Sequence, residues 1–247
     1  SKIKMTYKSK RPLQRLSNKQ IFEDIKKYIK EAHTFYETKV PELTVLAKRL
    51  HEEYDLRKFY KVFNKLWNSG YHEEKSLAIY TLQLYKENFD LETWRFLKPK
   101  LKYIKSWDKI DSVSSNIIGE VLIRNKKLEK EILAMAKSKN VWFKRMGIMS
   151  AIPLIKCGDF KLAIKFCEEY INDKNRPVQE AIGKILKEIG EVKPQLARRF
   201  ITKHLHMPLI TFNIATENMK ELRRLRNIKQ LKSNGFEKLM FWKNGVK

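Results

Sequence analysis

The sequence predicts an all-α protein, an α-solenoid of stacked antiparallel helix pairs, and three observations lead there. Apolar residues recur at helical spacing along nearly the whole chain. Glycine and proline are sparse, eight and seven in 247 residues, which argues against a turn-dense β-sandwich or a Gly-rich linker protein. Several stretches also repeat one plan, an apolar or aromatic entry, a charged turn, then a helix with a small residue at its middle.

Taken in order, NKQIFEDIKKYIKEAHTFY places Ile21, Ile25, Tyr28 and Ile29 on one helical face. HEEKSLAIYTLQLYKEN does the same with Leu77, Ala78, Thr81, Leu82 and Tyr85. Breaks fall at Pro41, Asn68-Ser69-Gly70, Pro99, Ser106 (a cap for a helix beginning at Trp107), Asn140, Gly158-Asp159, Asn172 to Pro177, and Pro194. They divide the chain into about eleven or twelve helices with no strand. LWNSGYHEEKSLAIYTL, SWDKIDSVSSNIIGEVL, NVWFKRMGIMSAIPLI and NRPVQEAIGKILKEIGEV carry Ala78, Gly119, Gly147 and Gly183 at the small position, at steps averaging about 35 residues. Glycine inside a helix costs roughly 1 kcal/mol, so its recurrence predicts close approach of a neighbouring helix. With 43% hydrophobic and 11% aromatic residues the chain has the apolar surface to fold, and residues 1–247 are expected to form a single domain.

The charge points to a partner. There are 53 Lys+Arg against 28 Asp+Glu, a formal net charge of +25. Each cation that meets a phosphate releases condensed counterions, so nucleic acid leads. Residues 1–15 hold Lys2, Lys4, Lys8, Lys10, Arg11 and Arg15 with no acid, and the stretch 218–247 holds nine basic residues against two acids. A curved stack of helices has a concave groove, and in a chain this basic the groove is expected to accept duplex DNA. Two other readings remain open: a solvated Lys-rich surface, and a scaffold that binds protein in its groove.

Several classes are excluded. No stretch approaches the length of a membrane-spanning helix, and the first residues lack the apolar core of a signal peptide, so a cytoplasmic protein without membrane contact is expected. Cys157 and Cys167 are expected as buried thiols. His33, His51, His72, His204 and His206 form no metal set, and there is neither a P-loop nor a GxSxG elbow. No metal and no cofactor are expected, and the protein is expected to be a monomer.

Five blocks in order carry a resemblance: VPELTVLAKRL, LWNSGYHEEKSLAIYTL, SWDKIDSV, VWFKRMGIMSAI and VQEAIGKILKE. From about Tyr36 to about Pro194 the chain resembles the DNA alkylation repair family of HEAT-like-repeat glycosylases, the AlkD type. The resemblance implies HEAT-like helix-pair repeats and hydrolysis, without a cofactor, of the N-glycosidic bond of cationic alkylated purines such as 3-methyladenine and 7-methylguanine in duplex DNA. That chemistry requires a carboxylate near the developing sugar cation and electron-rich aromatic faces around the base. Trp107 and Asp111 stand at i and i+4 of one predicted helix and so share a face. The resemblance gives Trp107 contact with the lesion nucleotide and Asp111 stabilisation of the sugar cation or of the attacking water; Asp108 is left to the helix start. It assigns Arg145, three residues after Trp142, to the DNA backbone, near a helix start whose free N–H groups suit a phosphate; Trp142 goes mostly to packing. Trp67, Trp94 and Trp242 carry no assigned chemistry.

One position departs from the pattern. Where the family has Ala-Ile-Gly-Trp, this chain has Ala181-Ile182-Gly183-Lys184, a cation in place of an aromatic wall. The change removes a cation–π partner worth about 0.5–2 kcal/mol. Three consequences stay open: Lys184 pairs with a phosphate or with Asp111 while catalysis survives; the protein binds DNA without catalysis, Asp111 being neutralised; or Lys184 attacks the sugar as a Schiff-base nucleophile.

Overall fold

In the computed structural model the described residues are Glu23 and 40–227, and among them every regular element is helical. The basic segment 1–15, the predicted helix around Ile21 to Ile29, Trp242 and most of the basic stretch 218–247 lie outside the described residues. No described helix is long and apolar enough to cross a membrane.

The described residues divide into two compact units, one ending at Leu84 and the other beginning at Tyr85. In the first, α1 (Val40–Glu53) and α2 (Leu56–Asn68) both pack on α3 (His72–Gln83). Asp55 starts α2 by accepting from the Lys58 N–H, and Ala78 is fully buried in α3. Trp67 is buried and stacks on Phe63 with ring centroids 5.5 Å apart, a packing role.

The second unit is the solenoid that holds the candidate site. It runs through α4 (Leu91–Leu97), a 3-10 turn at Lys98–Tyr103, α5 (Trp107–Val113), a π-helical turn at Ser114–Ile118 and α6 (Gly119–Arg124). It continues through α7 (Glu129–Ala136), α8 (Val141–Met149), α9 (Ile152–Lys156), α10 (Lys161–Tyr170), α11 (Arg176–Val192), α12 (Pro194–Lys203) and α13 (Leu209–Ala215). α8 packs on its partner α7 and also on α5 and α11, and α11 packs on α10, α12 and α13. The expected breaks at Asn140 and Pro194 fall at helix starts. A helix begins at Trp107 as expected, and the π turn separates it from Gly119; the preceding carbonyls, of Ile110 and Asp111, accept the hydroxyls of Ser114 and Ser115.

The glycines sit where helices touch. A Cβ on Gly119 would stand 2.6 Å from the Ser150 carbonyl oxygen, one on Gly147 2.7 Å from the Ala136 nitrogen, and one on Gly183 2.8 Å from the Ile214 Cβ. The helix-propensity loss of about 1 kcal/mol is thus exchanged for backbone contact between neighbouring helices. One expectation is corrected: Cys167 is buried, and burial pushes its thiol pKa up, but Cys157 is exposed because it ends α9 beside Gly158, where the chain turns outward at φ +81°.

Gly147→Ala is expected to lower the unfolding free energy by about 1–3 kcal/mol, because the obstructing atoms belong to backbone and cannot rotate away. Urea unfolding followed by circular dichroism measures this. An unchanged midpoint would show that α7 and α8 can separate freely.

Candidate nucleic-acid-facing site

The site is assembled by three helices of the second unit. Trp107 and Asp111 come from α5, Trp142 and Arg145 from α8, and Lys184 from α11. The local sequence positions each. Ser106 precedes the first turn of α5 in extended backbone, although its hydroxyl makes no cap bond. Asn140 caps α8 by accepting from the N–H groups of Trp142 and Phe143. Those two donors, expected to be open to a phosphate, are therefore occupied.

Asp111 is the centre. Its carboxylate accepts from Arg145 Nε at 2.8 Å and from Arg145 Nη2 at 2.8 Å, a two-pronged pairing. The second oxygen also accepts from Lys184 Nζ at 2.6 Å. Burial pushes the Asp111 carboxyl pKa up, but the hydrogen bonds and charges of Arg145 and Lys184 outweigh it, and the net displacement is below the ordinary carboxylate value. Asp111 is ionised at neutral pH and held between two cations.

Arg145 faces inward. It is 1% exposed, its third nitrogen, Nη1, donates to the Pro177 carbonyl at 2.6 Å, and Glu180 stands 3.8 Å from Nη1. The expectation that it grips the DNA backbone is revised accordingly: all of its nitrogens are engaged inside the protein. Its guanidinium lies under the Trp107 ring, 4.9 Å from the centroid. Trp142 meets Trp107 edge-on, with centroids 4.5 Å apart. Trp107 thus meets Arg145 with its ring and Trp142 in a perpendicular ring contact, and still remains 43% exposed. Lys184 is 42% exposed along its side chain.

All five residues singled out in the sequence therefore converge. Sequence reasoning missed Glu180 and the Pro177 carbonyl. Glu180 had a signal, since it lies four residues before Lys184 on the same helix; a backbone carbonyl has none. Among the described residues no group of three or more His, Cys, Asp or Glu is placed to hold a metal ion.

The chain is thus a helical solenoid in which Trp107 and the Asp111 carboxylate of one helix meet Arg145 and Lys184 from two others. The family model for the DNA alkylation repair enzyme matches residues 10–219, and the chain belongs to that family. Its fold is similar to that of a predicted DNA alkylation repair enzyme from Enterococcus faecalis, with 19% identity and a TM-score of 0.64 over 84% of this chain and 99% of that one. It is also similar to AlkD2 from Streptococcus mutans, with 16% identity and a TM-score of 0.58 over 78% of this chain and 97% of that one. No curated protein matches the sequence.

Asp111→Asn strands a fully buried guanidinium and is expected to destabilise the protein by about 3 kcal/mol at pH 7. Because the folded pKa is depressed, the stabilisation is complete above the unfolded value of about 3.9 and is lost as pH falls through the folded one. The difference between native protein and variant should therefore shrink below about pH 4. Urea midpoints at pH 7 and pH 3 measure it, and a pH-independent difference would remove the ion pair as its cause.

Proposed function

We propose that this protein serves DNA repair by binding duplex DNA on the face that carries Trp107 and Lys184, and that it does so without hydrolysing alkylpurines. The observation that carries this is the Lys184–Asp111 pair at 2.6 Å. Base release leaves an oxocarbenium-like sugar, and the enzyme's contribution is a carboxylate whose charge is available to that cation. Here three donors already surround the carboxylate. A base made cationic by alkylation would, moreover, approach an ammonium group where the family has an indole face, and the cation–π attraction becomes repulsion. The net charge of +25 supports the binding half of the proposal.

A second reading keeps the glycosylase activity on 3-methyladenine and 7-methylguanine. It is favoured by the exposure of Trp107 one turn from Asp111 on α5, an indole still open to a nucleotide. In this reading Lys184, whose side chain is 42% exposed, leaves Asp111 for a phosphate when DNA binds. Asp111, still oriented by Arg145, then faces the sugar or the attacking water. Arg145 is a positioning residue in both readings.

Release of free base from methylated duplex DNA separates them. Under the first reading the native protein releases no base above background, and Lys184→Trp, which supplies the aromatic and removes one of the two cations held by the carboxylate, raises release at least about ten-fold. Release by the native protein that disappears in Asp111→Asn, assayed where that variant is folded, would establish the second. Binding should also weaken steeply with salt, log K falling by about 0.9 per phosphate contact for each decade. A flat salt dependence would point to the protein-binding scaffold instead.

A further inference from the structure

The segment 93–107, TWRFLKPKLKYIKSW, contains Arg95, Lys98, Lys100, Lys102 and Lys105 and no acid. It is held rigidly to the solenoid. Leu97, Leu101, Ile104 and Ile110 are each 5% exposed or less, and the turn through Pro99 is a tight 3-10 helix. Every Leu and Ile side chain from Leu97 to Ile110 is turned into the core, yet two aromatics are not: Tyr103 is 56% exposed and Trp107 43%. Lys102 stands 5.0 Å from the Tyr103 ring centroid.

The cations of this edge differ in their engagement. Lys98 pairs with Glu131 at 2.6 Å, and Lys100 donates to the Phe96 carbonyl over the Phe96 ring. Lys102 and Lys105 are exposed and form no ion pair with a described residue. The nearest acid along the chain is Asp108, exposed beside Trp107. Exposed flat rings flanked by uncompensated ammonium groups match the chemistry of an unpaired nucleotide, which has a π-face and a phosphate. A paired base offers no such face.

We propose that Tyr103, with Lys102 and Lys105, forms a platform for unpaired DNA next to the Trp107–Asp111–Lys184 site, the ring stacking on a base and the ammonium groups meeting its flanking phosphates. This rests on the DNA-binding reading above and adds a substrate class to it: duplex interrupted by a single-stranded segment. Such a preference does not depend on a cationic base and is indifferent to the ammonium of Lys184.

The test compares two fluorescein-labelled probes in anisotropy titrations, a fully paired duplex and the same duplex with a short single-stranded gap. The native protein should bind the gapped probe more tightly. Tyr103→Ala should weaken binding to that probe by about 5- to 100-fold and leave the paired duplex unchanged, while Tyr103→Phe keeps the native preference. Lys102→Gln should lower the salt slope on the gapped probe by about one. Because these side chains are exposed, thermal melting of the variants should match the native protein. Equal affinity of the native protein for both probes, or an equal loss on both in Tyr103→Ala, would overturn the platform while leaving duplex binding intact. Failure of the native protein to bind either probe would overturn the DNA-binding reading and the platform with it.

Discussion

The second unit depends on how one buried guanidinium is neutralised. Arg145 is nearly inaccessible to water, and a charge so placed is tolerated only where acceptors meet it on every side. Asp111 supplies two, Pro177 a third, and Glu180 adds charge at longer range. These partners lie on α5 and on the start of α11, so the charge requirement of one side chain on α8 fixes the relative placement of three helices. Apolar packing alone constrains such contacts less closely, because it is not directional.

The same requirement bears on activity. A carboxylate that must neutralise Arg145 retains charge for a second cation, and in this chain Lys184 takes it. With an uncharged side chain at position 184, Arg145 would be the only cation on that carboxylate among the contacts described. In the proposed reading Lys184 acts twice, standing where the resemblance expects an aromatic and placing a cation on the Asp111 carboxylate. On that reading binding and hydrolysis would be separable, since an ammonium that disfavours a cationic base is itself suited to a phosphate.

Much of this was legible in the sequence. Gly119, Gly147 and Gly183 marked helix contacts because a glycine within a helix needs a compensating reason, and the helix starts at Asn140 and Pro194 were read from local chemistry. The spacing of Trp107 and Asp111, and of Trp142 and Arg145, identified which residues share a face. Periodicity does not say whether that face looks inward or outward, so it offers no check on the DNA-backbone role that the resemblance implies for Arg145, whose side chain is buried. The π turn after Asp111 was hidden for a related reason: one additional residue within a helix leaves composition and hydrophobic pattern nearly unchanged. Exposure of Cys157 follows from a turn at Gly158 whose position could be read but whose direction could not.

The distribution of acids carries the argument to the surface. Asp111 lies among cations within the solenoid, and Asp173 is drawn in the same way: it accepts from Lys144 at 3.1 Å with both side chains largely buried, and from the Asn175 N–H that precedes α11. Acids committed to such joints are unavailable to the outer face. In a chain with 28 acids against 53 cations, each interior pairing leaves the exterior no less positive, and the segment 93–107, with five cations and no acid, is one such stretch. A surface of that kind favours polyanions through its charge alone, independently of any bond cleavage. Selection for binding alone would preserve the fold, the Asp111–Arg145 joint and the basic face, while leaving position 184 free to lose its aromatic.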